Sequence, residues 1–97
     1  MANNVKVLKL ITGEEVITRV TESDHDLITL DSPMILTTLP NHERKQLATT
    51  MIPWIQTIKS VVEEGKVTFS KEYILVEGDP TETLERKYLS TITGLTL

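Results

Sequence analysis

The hydrophobic pattern over most of this chain alternates with a period of two, which is typical of β-strands. In the segment LKLITGEEVITRV, residues 8–20, two apolar-rich runs meet at a glycine. The second run puts Val16, Thr18 and Val20 on one face of a strand. Gly13 can adopt the positive φ that a tight turn needs. The segment therefore predicts a β-hairpin whose strands are these two runs.

Three further runs rich in β-branched residues, each bounded by turn residues, extend the pattern. They cover residues 27–39, 47–58 and 67–76. Pro33 and Pro53 lie inside two of them. Because proline cannot donate to a sheet ladder, these positions indicate bulges or edge strands. Five short strands joined by short loops predict an all-β fold, a small five-stranded open barrel.

The period changes to that of a helix near the end of the chain. Asp79, Pro80 and Glu82 are typical of a helix start, with aspartate as the cap and proline in the first turn. One apolar stripe at four-residue spacing follows, formed by Leu84, Tyr88 and Ile92. Gly94 supplies a stop. The pattern predicts a short C-terminal helix that docks by this stripe, against the barrel or against a neighbouring subunit.

Length and composition narrow the class of protein. The 97 residues are predicted to form one domain, residues 1–97. A net charge of −4 argues against the broad basic surface of a typical nucleic-acid binder. The absence of cysteine excludes disulfides and cysteine zinc sites. With neither a secretory signal nor a membrane-spanning run in the sequence, we expect a cytoplasmic protein without a membrane partner.

The adjacent acids Glu14 and Glu15 are interpreted as turn residues. Neighbouring residues on a strand point to opposite faces, so the two carboxylates cannot readily converge on one substrate atom as an acid–base pair. We expect both carboxylates to be solvated.

Motifs for metals, cofactors and catalysis are weak or missing. His25 lies between Asp24 and Asp26, but no second histidine stands at ligand spacing, so a turn is favoured over a metal site. His42 has basic neighbours, which would repel a cation. The chain contains no glycine-rich phosphate loop and no nucleophile motif. We therefore expect a protein that is not an enzyme and holds no cofactor.

The single tryptophan, Trp54, is flanked by Ile52 and Ile55. Stacking platforms for nucleic acid need aromatic side chains beside basic groups. The apolar neighbours favour a place in the core or in a subunit interface over a stacking platform.

Residues 8–20 together with Ile28-Thr29-Leu30 resemble the first motif of the Sm-like (LSm) family, whose members are small SH3-type open barrels that assemble into rings and commonly bind RNA. The combination of Thr12-Gly13-Glu14-Glu15, Pro53-Trp54 and the Leu84 to Tyr88 spacing is similar to a divergent variant found in bacteriophage genomes. For a phage-encoded protein, the cytoplasm would be that of the host cell.

The departures from the family pattern concern RNA recognition. Asp26-Leu27 stands where the family usually has Met-Asn, whose asparagine reads a base. Val76-Glu77-Gly78 resembles the second family motif, Ile-Arg-Gly, only superficially, because an acid replaces the arginine.

The resemblance implies a homo-oligomeric ring with its seam formed around residues 47–58 and 67–77. It also implies binding of single-stranded RNA in RNA metabolism or regulation. The RNA-binding candidates are His25, Arg44, Lys45 and Lys71. The alternative is a ring that has lost RNA recognition and serves as a scaffold or binds a protein partner.

Overall fold

A computed structural model describes residues 4–41 and 46–93 of the chain. In these residues six strands and two helices follow one another, with one 3-10 turn, Lys71–Tyr73, between the last two strands. The elements in chain order are β1 Val5–Leu10, β2 Glu15–Ser23, β3 Leu27–Asn41, β4 Gln46–Pro53, α1 Lys59–Glu64, β5 Lys66–Ser70, β6 Ile74–Gly78 and α2 Glu82–Thr93. The predicted all-β fold with a C-terminal helix is confirmed.

The predicted hairpin is present. Strands β1 and β2 pair antiparallel, with Val7 opposite Ile17 and Leu8 opposite Val16. Gly13 has a φ of 98°, a conformation that a residue with a Cβ rarely adopts. The turn residue and the register therefore agree with the sequence-based prediction.

Strand β3 is the centre of an antiparallel sheet in the order β4-β3-β2-β1-β6. Its first half also pairs with β5, for example Ile28 with Phe69, and its second half pairs with β4, for example Ile35 with Ile52. Both halves pair with β2 on the other side. One edge of β3 is thus divided between two strands, and the sheet curls into an open, barrel-like form.

The predicted count of five strands is wrong, since the described residues form six, and two of the predicted strands have other bounds. The run predicted over residues 47–58 ends as a strand at Pro53, and the chain then forms α1. The run predicted over residues 67–76 is interrupted by the 3-10 turn, whose cap Ser70 accepts a hydrogen bond from the Glu72 backbone N–H at 3.4 Å. Helix α1 escaped prediction because it is one short element with no buried residue and no side-chain cap.

The barrel interior is an apolar cluster drawn from alternate positions of the strands. Its buried members are Leu8, Leu10, Val16, Ile28 and Leu30. Val20, Trp54, Val67, Phe69 and Ile74 are partly buried and pack against them. Strand alternation therefore places one face of the sheet in this cluster, as the period of two predicts.

A second apolar cluster lies on the opposite face of the sheet, where α2 covers it. The buried members are Val5, Ile17, Met34 and Tyr88. Leu84 and Ile92 of α2 pack against these residues, so the predicted stripe is confirmed and it docks on the sheet of its own chain. Strand β2 is consequently buried on both faces, with Val16 on one side and Ile17 on the other.

The start of α2 differs from the prediction. The helix begins at Glu82, and the Thr81 hydroxyl accepts a hydrogen bond from the Leu84 backbone N–H at 3.3 Å. Asp79, the predicted cap, pairs instead with the Lys6 ammonium at 2.6 Å. This ion pair connects the end of β6 to β1, and it raises the pKa of Lys6 through the hydrogen bond and charge of Asp79. The predicted stop, Gly94, lies outside the described residues.

The bend in β3 is located at Ser32, one residue before the proline that predicted it. Ser32 has a φ of 55°, which is uncommon for a residue with a side chain. Its backbone N–H donates to the Gly65 carbonyl at 2.6 Å, and its carbonyl accepts from the Tyr88 hydroxyl at 2.8 Å. The same hydroxyl accepts from the Arg19 backbone N–H at 3.1 Å. Residues from β2, the end of α1 and α2 therefore hold the bend.

Burial raises the pKa of the Tyr88 hydroxyl and favours its neutral, hydrogen-bonding form. Tyr88 has no solvent exposure. When the hydroxyl is removed, water therefore cannot readily replace it as a hydrogen-bond partner.

We expect Tyr88→Phe to lower the free energy of unfolding by about 1–3 kcal/mol, because it leaves part-buried backbone groups of Arg19 and Ser32 without this hydrogen-bond partner. Urea unfolding at a fixed protein concentration measures this loss. The matched control is Tyr73→Phe, at a tyrosine that is 46% exposed, which should change stability by less than about 0.5 kcal/mol. Equal stabilities for both variants would contradict the role of Tyr88.

Candidate functional site

Two loops meet at one end of the barrel, the turn between β2 and β3 and the 3-10 turn between β5 and β6. The Lys71 backbone N–H donates to the Asp26 carbonyl at 2.9 Å. The Lys71 ammonium donates to the Asp24 carbonyl. They meet because β5 pairs with the start of β3, with Ser70 opposite Leu27.

Asp24 shapes the first of these turns. Its carboxylate accepts hydrogen bonds from the backbone N–H groups of Asp26 at 2.8 Å and Leu27 at 2.7 Å. Bonds from an aspartate side chain to the backbone two residues further on are typical of turns. The bonds from Leu27 and Asp26 lower the pKa of Asp24, because they favour the ionised carboxylate.

The predicted RNA-binding residues are only partly brought together. His25 is exposed in the first turn and Lys71 reaches that same turn, so these two candidates share one end of the barrel. Arg44 and Lys45 lie outside the described residues.

Negative charge dominates this end of the barrel. Lys71 is accompanied by four carboxylates on the two turns and the adjoining strand, those of Glu22, Asp24, Asp26 and Glu72. These carboxylates would repel a phosphate group near Lys71. The end is therefore better suited to a neutral or cationic group than to a nucleic-acid backbone.

An exposed apolar edge lies along β6. Leu75 and Val76 are adjacent, so they point to opposite faces of the strand, yet their exposed fractions are 63% and 62%. The described backbone pairs of β6 are all with β1, so its other edge presents unpaired N–H and C=O groups. Likewise, the described backbone pairs of β4 are all with β3. Among the described residues, the sheet thus has an unpaired edge at each end of its strand order, and β5, whose described pairs are all with β3, has a third.

Sequence reasoning located this edge only through the family resemblance, as part of the seam around residues 67–77. The alternation of residues 67–76 predicted one continuous strand with half its side chains buried. The 3-10 turn interrupts that strand, and β6 contributes only Ile74 to the barrel interior.

The interpretation of the acidic pair is correct for Glu15 and incomplete for Glu14. Glu15 is exposed and lies 3.6 Å from the Lys9 ammonium. The Glu14 carboxylate, however, accepts hydrogen bonds from the Thr12 hydroxyl at 2.6 Å and the Trp54 indole N–H at 3.0 Å. The contact with Trp54 joins residues 40 positions apart, so no local pattern could have indicated it.

In residues 4–41 and 46–93, no group of three or more histidine or acidic side chains is arranged to hold a metal ion. The same residues contain no helix that is long and apolar enough to cross a membrane.

Comparisons with known proteins leave the chain without an assigned family. No protein-family model matches it, and no curated protein matches it in sequence.

Proposed function

We propose that this protein is a divergent, phage-type Sm-like protein that assembles into a homo-oligomeric ring and serves as a scaffold for a protein partner. The exposed apolar edge of β6 is the observation that carries the proposal. The resemblance of residues 8–20 and 28–30 to the first Sm-like motif supports it, as does a curled sheet in which the last strand pairs with the first.

An uncovered hydrophobic edge strand is a liability for a protein that works alone, because it can pair with any other exposed strand. Leu75 and Val76 add apolar surface on both faces of that edge. Pairing with a second copy would satisfy the backbone groups and remove this surface from water. A small domain also gains stability in this way, since it buries a limited fraction of its own surface.

The edges of β6 and β4 differ, so contact between β6 of one copy and β4 of the next is head-to-tail. Head-to-tail contacts generate a ring when the rotation between copies closes. The seam proposed for this chain therefore consists of Ile74–Gly78 and Gln46–Pro53. It overlaps the two segments that the resemblance implies, residues 67–77 and 47–58.

The scaffold role is favoured over RNA binding by the charge at the end of the barrel. The net charge is −4, and the two turns that carry His25 and Lys71 are rich in carboxylates. These charges disfavour a polyanion and leave a protein partner as the better match.

Light scattering coupled to size exclusion tests the ring. We expect the wild-type protein to have a mass that is a multiple of 10.9 kDa and is stable on dilution. Leu75→Lys should shift the protein to the monomer, because it places an ammonium in the apolar seam. The matched control, Leu27→Lys, changes a leucine that is 46% exposed away from both edges and should leave the mass unchanged. A wild-type monomer at all concentrations would refute the assembly.

Binding of single-stranded RNA is the second candidate function, favoured by one observation. Lys71 and the turn that carries His25 lie at the same end of the barrel. Copies arranged around an axis would bring several such ends together.

Titration of labelled oligo-U and oligo-A at two salt concentrations tests RNA binding. If RNA binds, affinity should fall steeply as salt rises, and Lys71→Gln should weaken it. Lys66→Gln, which changes an exposed lysine of β5, serves as the control and should have little effect. Because the end of the barrel that carries Lys71 is acidic, we expect no RNA binding at concentrations up to about 100 μM, the weak limit of non-specific association. Tight binding that Lys71→Gln abolishes would contradict the scaffold role.

A further inference from the structure

Three of the four aromatic side chains of the chain line one cleft. They are Trp54, Phe69 and Tyr73, and the cleft has a volume of about 280 Å³. Ile11 and Thr12, from the turn after β1, form part of the wall, with Glu14 beside them. The cleft is built from a single chain and does not depend on the proposed ring.

The aromatic rings are arranged as walls around an open space. Trp54 and Phe69 contact edge to face, with 5.7 Å between ring centroids and 71° between planes. Both pack against the barrel interior on one side, which fixes their orientation. Tyr73 is 46% exposed at the mouth of the cleft. The π-face of an aromatic ring is the negative end of its quadrupole, so such a cleft attracts cations.

A negative charge, that of Glu14, lies in the same cleft. The Glu14 carboxylate is half-buried and is held by the Thr12 hydroxyl and the Trp54 indole N–H. None of the ion pairs among the described residues involves Glu14. The carboxylate is therefore fixed in place beside aromatic rings, and a phosphate-bearing ligand would be repelled.

A larger groove of about 480 Å³ lies between the bend of β3 and α1, but its lining has no charged side chain. Nothing in that groove selects one occupant over another. The aromatic cleft is different, because its carboxylate and rings both favour a cation.

We infer that the aromatic cleft binds the guanidinium group of an arginine presented by a partner polypeptide. The guanidinium is planar, stacks on aromatic faces and forms hydrogen bonds with carboxylates. It is also more weakly hydrated than an ammonium, so moving it from water into an apolar cleft costs less. A lysine side chain carries the same charge but is the poorer match.

The single tryptophan makes the site directly observable. Trp54 emission of the full-length wild-type protein is followed during titration with the peptide Gly-Gly-Arg-Gly-Gly and with counterparts that carry lysine or neutral citrulline instead. We expect the arginine peptide to bind about fivefold more tightly than the lysine peptide, and the citrulline peptide to bind more weakly than both.

Three variants separate binding at the cleft from general attraction to an acidic protein. Glu14→Gln keeps an oxygen to accept the Trp54 N–H but removes the charge, and it should weaken arginine binding about fivefold or more. Glu15→Gln makes the same change at the exposed neighbouring acid and should leave the affinity unchanged. Tyr73→Leu removes an aromatic face at an exposed position and should also weaken binding.

Equal affinity for the arginine and lysine peptides, or equal effects of the two glutamine variants, would overturn the inference. So would binding of a proline-rich or purely apolar peptide in preference to the arginine peptide. If a second copy of the chain fills the cleft, Tyr73→Leu would lower the oligomer mass and no peptide would bind, which also overturns it.

Discussion

The bend of β3 at Asp31 and Ser32 is the constraint on which the rest of the structure depends. A straight strand could pair along one edge with a single neighbour, whereas this strand divides that edge between β5 and β4. The left-handed backbone of Ser32 is unfavourable by itself, so its surroundings must stabilise it. The Tyr88 hydroxyl, the Gly65 carbonyl and the Arg19–Asp31 ion pair at 3.2 Å all converge there. The helix, the sheet and the end of α1 are thus held together at one point.

Each surface described above follows from that bend. Pairing of β5 with the first half of β3 places Lys71 against the turn that carries His25. Because β4 pairs with the second half of β3, the chain returns to Pro33, whose carbonyl accepts a hydrogen bond from the Trp54 backbone N–H at 3.1 Å. Trp54 therefore lies beside Phe69 and reaches Glu14 across the barrel mouth. The short β6 is left as an exposed edge with Leu75 and Val76 uncovered.

Local patterns predicted the parts of this fold that local physics determines. The hairpin around Gly13 and the helical stripe of α2 depend on residue period and turn chemistry, and both are present. The break after Pro53 was missed because β-branched residues continue at Ile55, Thr57 and Ile58. The 3-10 turn at Lys71 was missed because it spans three residues and an apolar run resumes directly after it. The cleft could not be predicted at all, since Glu14, Trp54 and Tyr73 are distant in sequence and meet only through the pairing of β3. Long-range pairing, which no single segment encodes, accounts for what sequence reasoning missed.

The double pairing of β3 is the central claim, and nuclear Overhauser contacts between backbone protons of isotope-labelled protein test it most directly. The account predicts cross-strand contacts between Ile28 and Phe69 and between Ile35 and Ile52 in the same spectrum. It also predicts contacts from the Tyr88 ring to β2 and β3, near the bend. A spectrum with only the β3–β4 contacts, and with residues 66–70 paired elsewhere, would contradict the bent strand and the cleft and edges that follow from it.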